Sequence, residues 1–179
     1  ATSLYYENFY LPEGSTLFIY NTEKTHLIGA FSAHNNNESK LFATEIIYTD
    51  ECVLEYYEPA DTKQKGSFTI TGIANVYNAP EPPAYIHLKD VKSLGSSGSC
   101  NVNVNCPEGN SWQDQKRGVA RILIKNGAGQ GWCSGSLINN VRQDCKNYFL
   151  TANHCGAAAP GADKNQWIFY FNYEKVKPN

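Results

Sequence analysis

The chain contains no methionine, no apolar run long enough to cross a bilayer and no cluster of Lys or Arg interleaved with aromatic residues. The second absence excludes a membrane-spanning helix, and the third leaves no electrostatic footprint for a nucleic acid. Neither a basic n-region nor an apolar h-region opens the sequence, so the start at Ala1 reads as a chain trimmed from a longer precursor. None of the 6 cysteines forms a C-x-x-C pair, which weakens both a zinc-ribbon and a thioredoxin-like reading. The first half shows no helical period longer than two turns, and no internal repeat runs through the chain.

What is present is a chain of 179 residues, 41% hydrophobic and 13% aromatic with 12 Tyr, enough for one domain of common size or two small ones with a real core. The even number of cysteines (Cys52, Cys100, Cys106, Cys133, Cys145 and Cys155) without metal spacing points to disulfides and an oxidising, extracytoplasmic setting, although composition cannot choose the pairing. The net charge of −2 hides an imbalance. Residues 1–92 carry 6 basic against 12 acidic residues, and residues 93–179 carry 9 against 5. An acidic segment followed by a mildly basic one fits two units able to attract each other, and equally fits chance composition.

Alternation of apolar and polar residues, with β-branched and aromatic types, predicts strands over 15–20 (STLFIY), 40–48, 52–57 and 67–73 (SFTITGI). Turn clusters at 11–14, 34–37 and 59–61 separate them. Short strands at this spacing predict an antiparallel β-sandwich over residues 1–78. Residues 79–98, with Pro80, Pro82, Pro83 and the Gly/Ser run at 95–99, read as a linker, and Lys89 and Lys92 within it are natural sites for a proteolytic nick. In residues 99–179 four further β segments follow, at 118–125 (GVARILIK), 132–139 (WCSGSLIN), 148–152 (YFLTA) and 166–173 (QWIFYFNY). The fold class expected is therefore all-β.

The informative feature is a pair of segments, GWCSGSLI (131–138) and YFLTANHC (148–155): a strand entering a tight polar turn that presents His154 beside a cysteine, and a Gly/Ser-rich strand with a second cysteine 22 residues earlier. This region resembles the catalytic-histidine region of trypsin-like serine endopeptidases. SGSCNVNVNCPEG (97–109), LINNVRQDCKNYFLTANHCG (137–156) and WIFYFNYE (167–174) together resemble the opening of a bacterial lysyl endopeptidase, with a precursor region ahead of the SGSC motif. The resemblance implies a two-barrel antiparallel fold of which residues 99–179 are the first, incomplete barrel, and cleavage on the carboxyl side of Lys. It makes His154 the general base, held beside a Cys133–Cys155 bridge, and implies no cofactor or metal.

Such a mechanism needs a Ser nucleophile and a buried Asp that fixes the imidazole tautomer. In the chymotrypsin arrangement these follow the His by roughly 45 and roughly 140 residues, which from His154 falls at about 199 and about 292. The 179 residues are therefore expected to be inactive alone, with the C-terminal remainder of the protease as partner and a peptide or protein as substrate. Asp163 lies nine residues after His154 in what reads as a surface loop, and Ser134 and Ser136 lie on a structural strand; none reads as a triad member. Cys155 beside His154 does not read as a thiol nucleophile, because a bridged sulfur cannot attack. By the resemblance Cys100 and Cys106 have partners beyond residue 179; alternatively they pair with Cys52 or Cys145.

His26, His34 and His87 have no ligand at metal spacing and read as surface or loop residues. Asn37-Glu38-Ser39 fits an N-glycosylation acceptor. Tyr5-Tyr6 and Tyr56-Tyr57 read as sandwich packing rather than a binding surface. Two other functions stay open: a non-catalytic binding or cargo module derived from a protease, and a zymogen whose acidic N-terminal part is inhibitory until the chain is cut near Lys92.

Overall fold

The computed structural model describes residues 1–77, 79 and 101–174. The chain divides into two compact units, Ala1–Val91 and Lys92–Asn179. The linker expected at 79–98 lies, apart from residue 79, outside the described residues, as do Lys92, His87 and Cys100.

The first unit is built from strands β1 (Thr2–Tyr10), β2 (Thr16–Asn21), β3 (Leu27–Phe31), β4 (Phe42–Ala43), β5 (Cys52–Tyr57) and β6 (Ser67–Asn75). They form two three-stranded sheets, ordered β4-β1-β6 and β3-β2-β5, and every pairing is antiparallel. The pattern of β2 shows why: Leu17, Ile19 and Asn21 are buried while Thr16, Phe18 and Tyr20 are half-exposed, the period of 2 that a one-sided strand requires. Leu4, Tyr6 and Phe9 of β1 meet Leu17, Ile19 and Ile28 of the other sheet, with Leu11 and Ile47 completing one core. Each fully buried Leu or Ile contributes about 1.5–3 kcal/mol through the area taken from water. Phe9 stacks on Phe42 at 4.2 Å, and Tyr6 meets Phe68 edge-on at 6.1 Å. The tyrosine pair Tyr5-Tyr6 is thus core, 8% and 0% exposed.

Polar side chains close the turns. Asn21 Oδ1 accepts hydrogen bonds from the Thr25 and His26 amides and so shapes the β2–β3 hairpin. Glu58 accepts from the Gly66 amide and the Tyr56 hydroxyl and pairs with Lys65 at 2.9 Å across the β5–β6 connection. These donors, led by the Gly66 amide, pull its carboxyl pKa down to about 2. His26, expected at the surface, is 3% exposed: its Nδ1 accepts a hydrogen bond from the Tyr48 amide, and burial lowers its pKa. Two strands escaped the pattern reading. In β1, Ser3, Leu4, Tyr5 and Tyr6 are buried in succession, so both faces are covered there and no alternation shows, and β3 is short with an exposed Leu27. Conversely, 40–48 is paired as a strand only at Phe42–Ala43, with one further bridge from Ile47 to Thr2.

Among the described residues, the first elements of the second unit are a 3-10 turn, Pro107–Trp112, and the short helix α1 (Gln113–Arg117). Strands β7 (Val119–Asn126), β8 (Gly129–Ile138), β9 (Tyr148–Thr151) and β10 (Ile168–Phe171) form one antiparallel sheet in the order β10-β7-β8-β9. The four strands expected here are present, and the sheet is open, not closed into a barrel. A tight turn containing Gly127 at φ 59° joins β7 to β8. Between β9 and β10 lie the one-turn helices α2 (Asn153–Gly156) and α3 (Gly161–Lys164).

Candidate functional site

The end of β9 positions the site. β8 and β9 run side by side with Gly135 opposite Thr151 and Ser136 opposite Leu150. A Cβ on Gly135 would run into the Phe149 ring and the Leu150 carbonyl, so glycine is what lets β9 approach this closely. Thr151 Oγ1 adds a hydrogen bond to the Ser134 carbonyl at 2.8 Å. Ala152 then turns the chain into α2, which carries His154 and Cys155.

Cys133 of β8 and Cys155 of α2 form a disulfide with Cα atoms 6.2 Å apart. Cys155 is 4% exposed and points inward, whereas His154 is exposed. Adjacent residues thus divide the work: one anchors the turn and the other presents an imidazole. The sulfurs of Cys133 and Cys155 and a ring nitrogen of His154 lie within 4.8 Å of one another. With the two sulfurs joined they offer no thiolate to a metal, and the group is a bridge with an imidazole beside it.

The loop after His154 is anchored a second time. Asp163 is 6% exposed, accepts a hydrogen bond from Lys125 Nζ at 2.6 Å and another from the Gly127 amide at 2.6 Å. These donors, with Lys125 first, hold its carboxyl below the ordinary Asp range against the opposing effect of burial. Asp163, which follows the stretch 157–162 read as a surface loop, is thus not part of a free surface: α3 packs onto β7 through a part-buried ion pair that the sequence did not reveal. Trp167 reinforces it by donating Nε1–H to the Lys125 carbonyl, and its ring packs where a Cβ on Gly156 would come within 2.9 Å. With its carboxylate committed to Lys125 and Gly127, Asp163 has no hydrogen bond to His154.

His154 faces a cleft of about 810 Å³ lined by residues of the second unit only. Trp132, Ser134, Arg121, Lys116, Tyr173 and Glu174 contribute polar and aromatic groups to its wall. Lys116 Nζ lies 3.0 Å from Glu174, and the Arg121 guanidinium sits over the Trp132 ring at 4.0 Å and the Tyr173 ring at 4.9 Å. Among the described residues no carboxylate and no serine hydroxyl is hydrogen-bonded to His154. Arg121, Trp132 and Tyr173 carry no mark in the sequence, because their meeting depends on β7 and β8 pairing Arg121 with Ser134 and on the chain after β10 folding back.

Compared with known proteins, residues 94–179 match the family described as "Lysyl endopeptidase, C-terminal domain". This part of the chain is related to lysyl endopeptidases. The match spans a little under half of the chain and includes the whole site: β8 with Cys133, the turn with His154 and Cys155, and the cleft wall. No solved structure matches the chain. Of the remaining cysteines, Cys52, Cys106 and Cys145 are free thiols, so the alternative pairing of Cys106 with Cys52 or Cys145 is not formed. Burial raises the Cys52 pKa.

Proposed function

We propose that residues 99–179 are the histidine-bearing part of a secreted serine endopeptidase that cleaves after Lys. The observation that carries this reading is the His154 imidazole, exposed on a cleft and tethered through Cys155 to Cys133, within the segment related to lysyl endopeptidases. In this reading His154 takes the proton of a serine hydroxyl as it attacks the peptide carbonyl and returns it to the leaving amine. An Asp and a Ser supplied by polypeptide outside the described residues complete the triad, and residues 1–78 are a precursor-type region, with activation by cleavage near Lys92. The disulfide supports an extracytoplasmic location, and among the described residues no helix is long and apolar enough to cross a membrane.

The test is hydrolysis of blocked peptides containing one Lys by the product of the whole gene. His154→Ala is expected to lower kcat/KM by at least about 10³-fold without changing the fold, the scale of loss when a triad base is removed. The 179-residue chain by itself is expected to leave the peptides intact. Equal activity of the His154→Ala product would refute the assignment, and a whole-gene product that folds but never hydrolyses would favour a non-catalytic module.

A further inference from the structure

Among the described residues, the cleft beside His154 is lined by Lys116, Arg121 and Glu174 as its charged side chains. Lys116 and Glu174 neutralise each other: both carboxylate oxygens lie 3.0 Å from Nζ, and both side chains are largely buried, at 19% and 25% exposure. Arg121 is left. Its contacts among the described residues are the two aromatic faces, Trp132 at 4.0 Å and Tyr173 at 4.9 Å, with neither a carboxylate nor a carbonyl bonded to it. Aromatic rings accept no conventional hydrogen bond of the kind a carboxylate does, so a guanidinium whose neighbours are ring faces keeps its N–H donors for another acceptor. Packing over two rings also restricts the side chain, so less freedom is lost when it grips a ligand, and its fork matches the two oxygens of a carboxylate. The half-buried surroundings weaken screening by water, and the described residues that line the cleft carry one positive charge more than negative.

We propose that Arg121 makes this cleft a subsite for a carboxylate side chain, so that the peptides it accepts carry Asp or Glu close to the bond that His154 serves. The peptide context rests on the endopeptidase reading above, whereas the carboxylate contact rests on Arg121 alone. Trp132 and Tyr173 are positioning residues here: they line the same cleft and hold the guanidinium within it.

Binding can be measured on the 179-residue chain without any catalysis. Blocked peptides that differ only in Glu against Gln are titrated by calorimetry, together with the Gln peptide bearing a free C-terminal carboxylate. The Glu peptide is expected to bind about tenfold more tightly than the blocked Gln peptide, the order a charge-assisted hydrogen bond supplies, with the ratio shrinking as salt is raised. Arg121→Gln is expected to abolish the ratio and Arg121→Lys to keep part of it. If the free C-terminal carboxylate alone gains the tenfold, the site reads chain ends and the side-chain proposal is overturned. Equal affinity for Glu and Gln peptides, no binding of either at millimolar concentration, or a ratio that survives Arg121→Gln in a protein with wild-type circular dichroism also overturns it. None of these outcomes bears on the His154→Ala hydrolysis test, so the two readings fail separately.

Discussion

Replacing Cys133 and Cys155 together by alanine removes a cross-link between positions separated by 22 residues. Treated as loop-closure entropy restored to the unfolded chain, a loop of this size corresponds to about 3.4 kcal/mol at 25 °C. All three tryptophans, Trp112, Trp132 and Trp167, lie in the second unit, so tryptophan emission reports its unfolding without interference from the first. With a urea m-value of roughly 1.5 kcal/mol/M, suited to a unit of this size, the midpoint read by tryptophan is expected to fall by about 2 M. The transition of the first unit, followed by hydrogen exchange of its strand amides, is expected to stay where it is. A fall of less than about 0.5 M, or an equal shift in both transitions, would show that the bridge does not carry the local constraint assigned to it. Because the same bridge holds the turn bearing His154, the whole-gene product of the double variant should also lose kcat at low temperature, where the unit remains folded.

Three further outcomes follow from the packing and the charges. Asp163→Asn leaves Lys125 without its carboxylate in a half-buried place, and is expected to destabilise the second unit by about 2–4 kcal/mol in urea titrations read by tryptophan. Because the Asp163 pKa is lowered on folding, its contribution is present above the unfolded value near 3.8 and is lost as pH falls through the folded value; the Asn variant should therefore show a flatter acid limb. His26 is held neutral by burial, with a folded pKa below 6.5, so the unfolded state takes up a proton first and the first unit should lose stability as pH falls below about 6.5. His26→Gln should remove that dependence in denaturation curves at pH 5 and pH 7.5. Gly135→Ala must push the Phe149 ring and the Leu150 backbone away from β8, and is expected to cost about 1–3 kcal/mol and to slow formation of the Cys133–Cys155 bridge, read by thiol titration during refolding.

Much of the second unit was legible because its strands are β-type in composition, rich in β-branched and aromatic residues: the expected 118–125 and 148–152 differ from β7 and β9 by a single residue at their ends. The turn carrying His154 was legible for a different reason, its resemblance to a family motif of short fixed spacing. The first unit was harder. β1, with Ser3, Leu4, Tyr5 and Tyr6 all buried in succession, has no period to detect, since covering both faces erases the contrast on which alternation depends. His26 looked like a loop residue because nothing local shows that Tyr48, 22 positions later, closes over it.

The order of residues alone determined that the chain is all-β, that an acidic part precedes a basic one, and that an imidazole follows a strand beside a cysteine. These properties are local or additive, so they need no knowledge of what lies across a sheet. Tertiary structure decided which sulfur Cys155 meets, that Asp163 serves Lys125 and Gly127 instead of the imidazole, and that the Arg121 guanidinium lies over the Trp132 and Tyr173 rings. Those outcomes join positions 11 to 52 residues apart, and only strand register and burial select such partners from the many that composition permits.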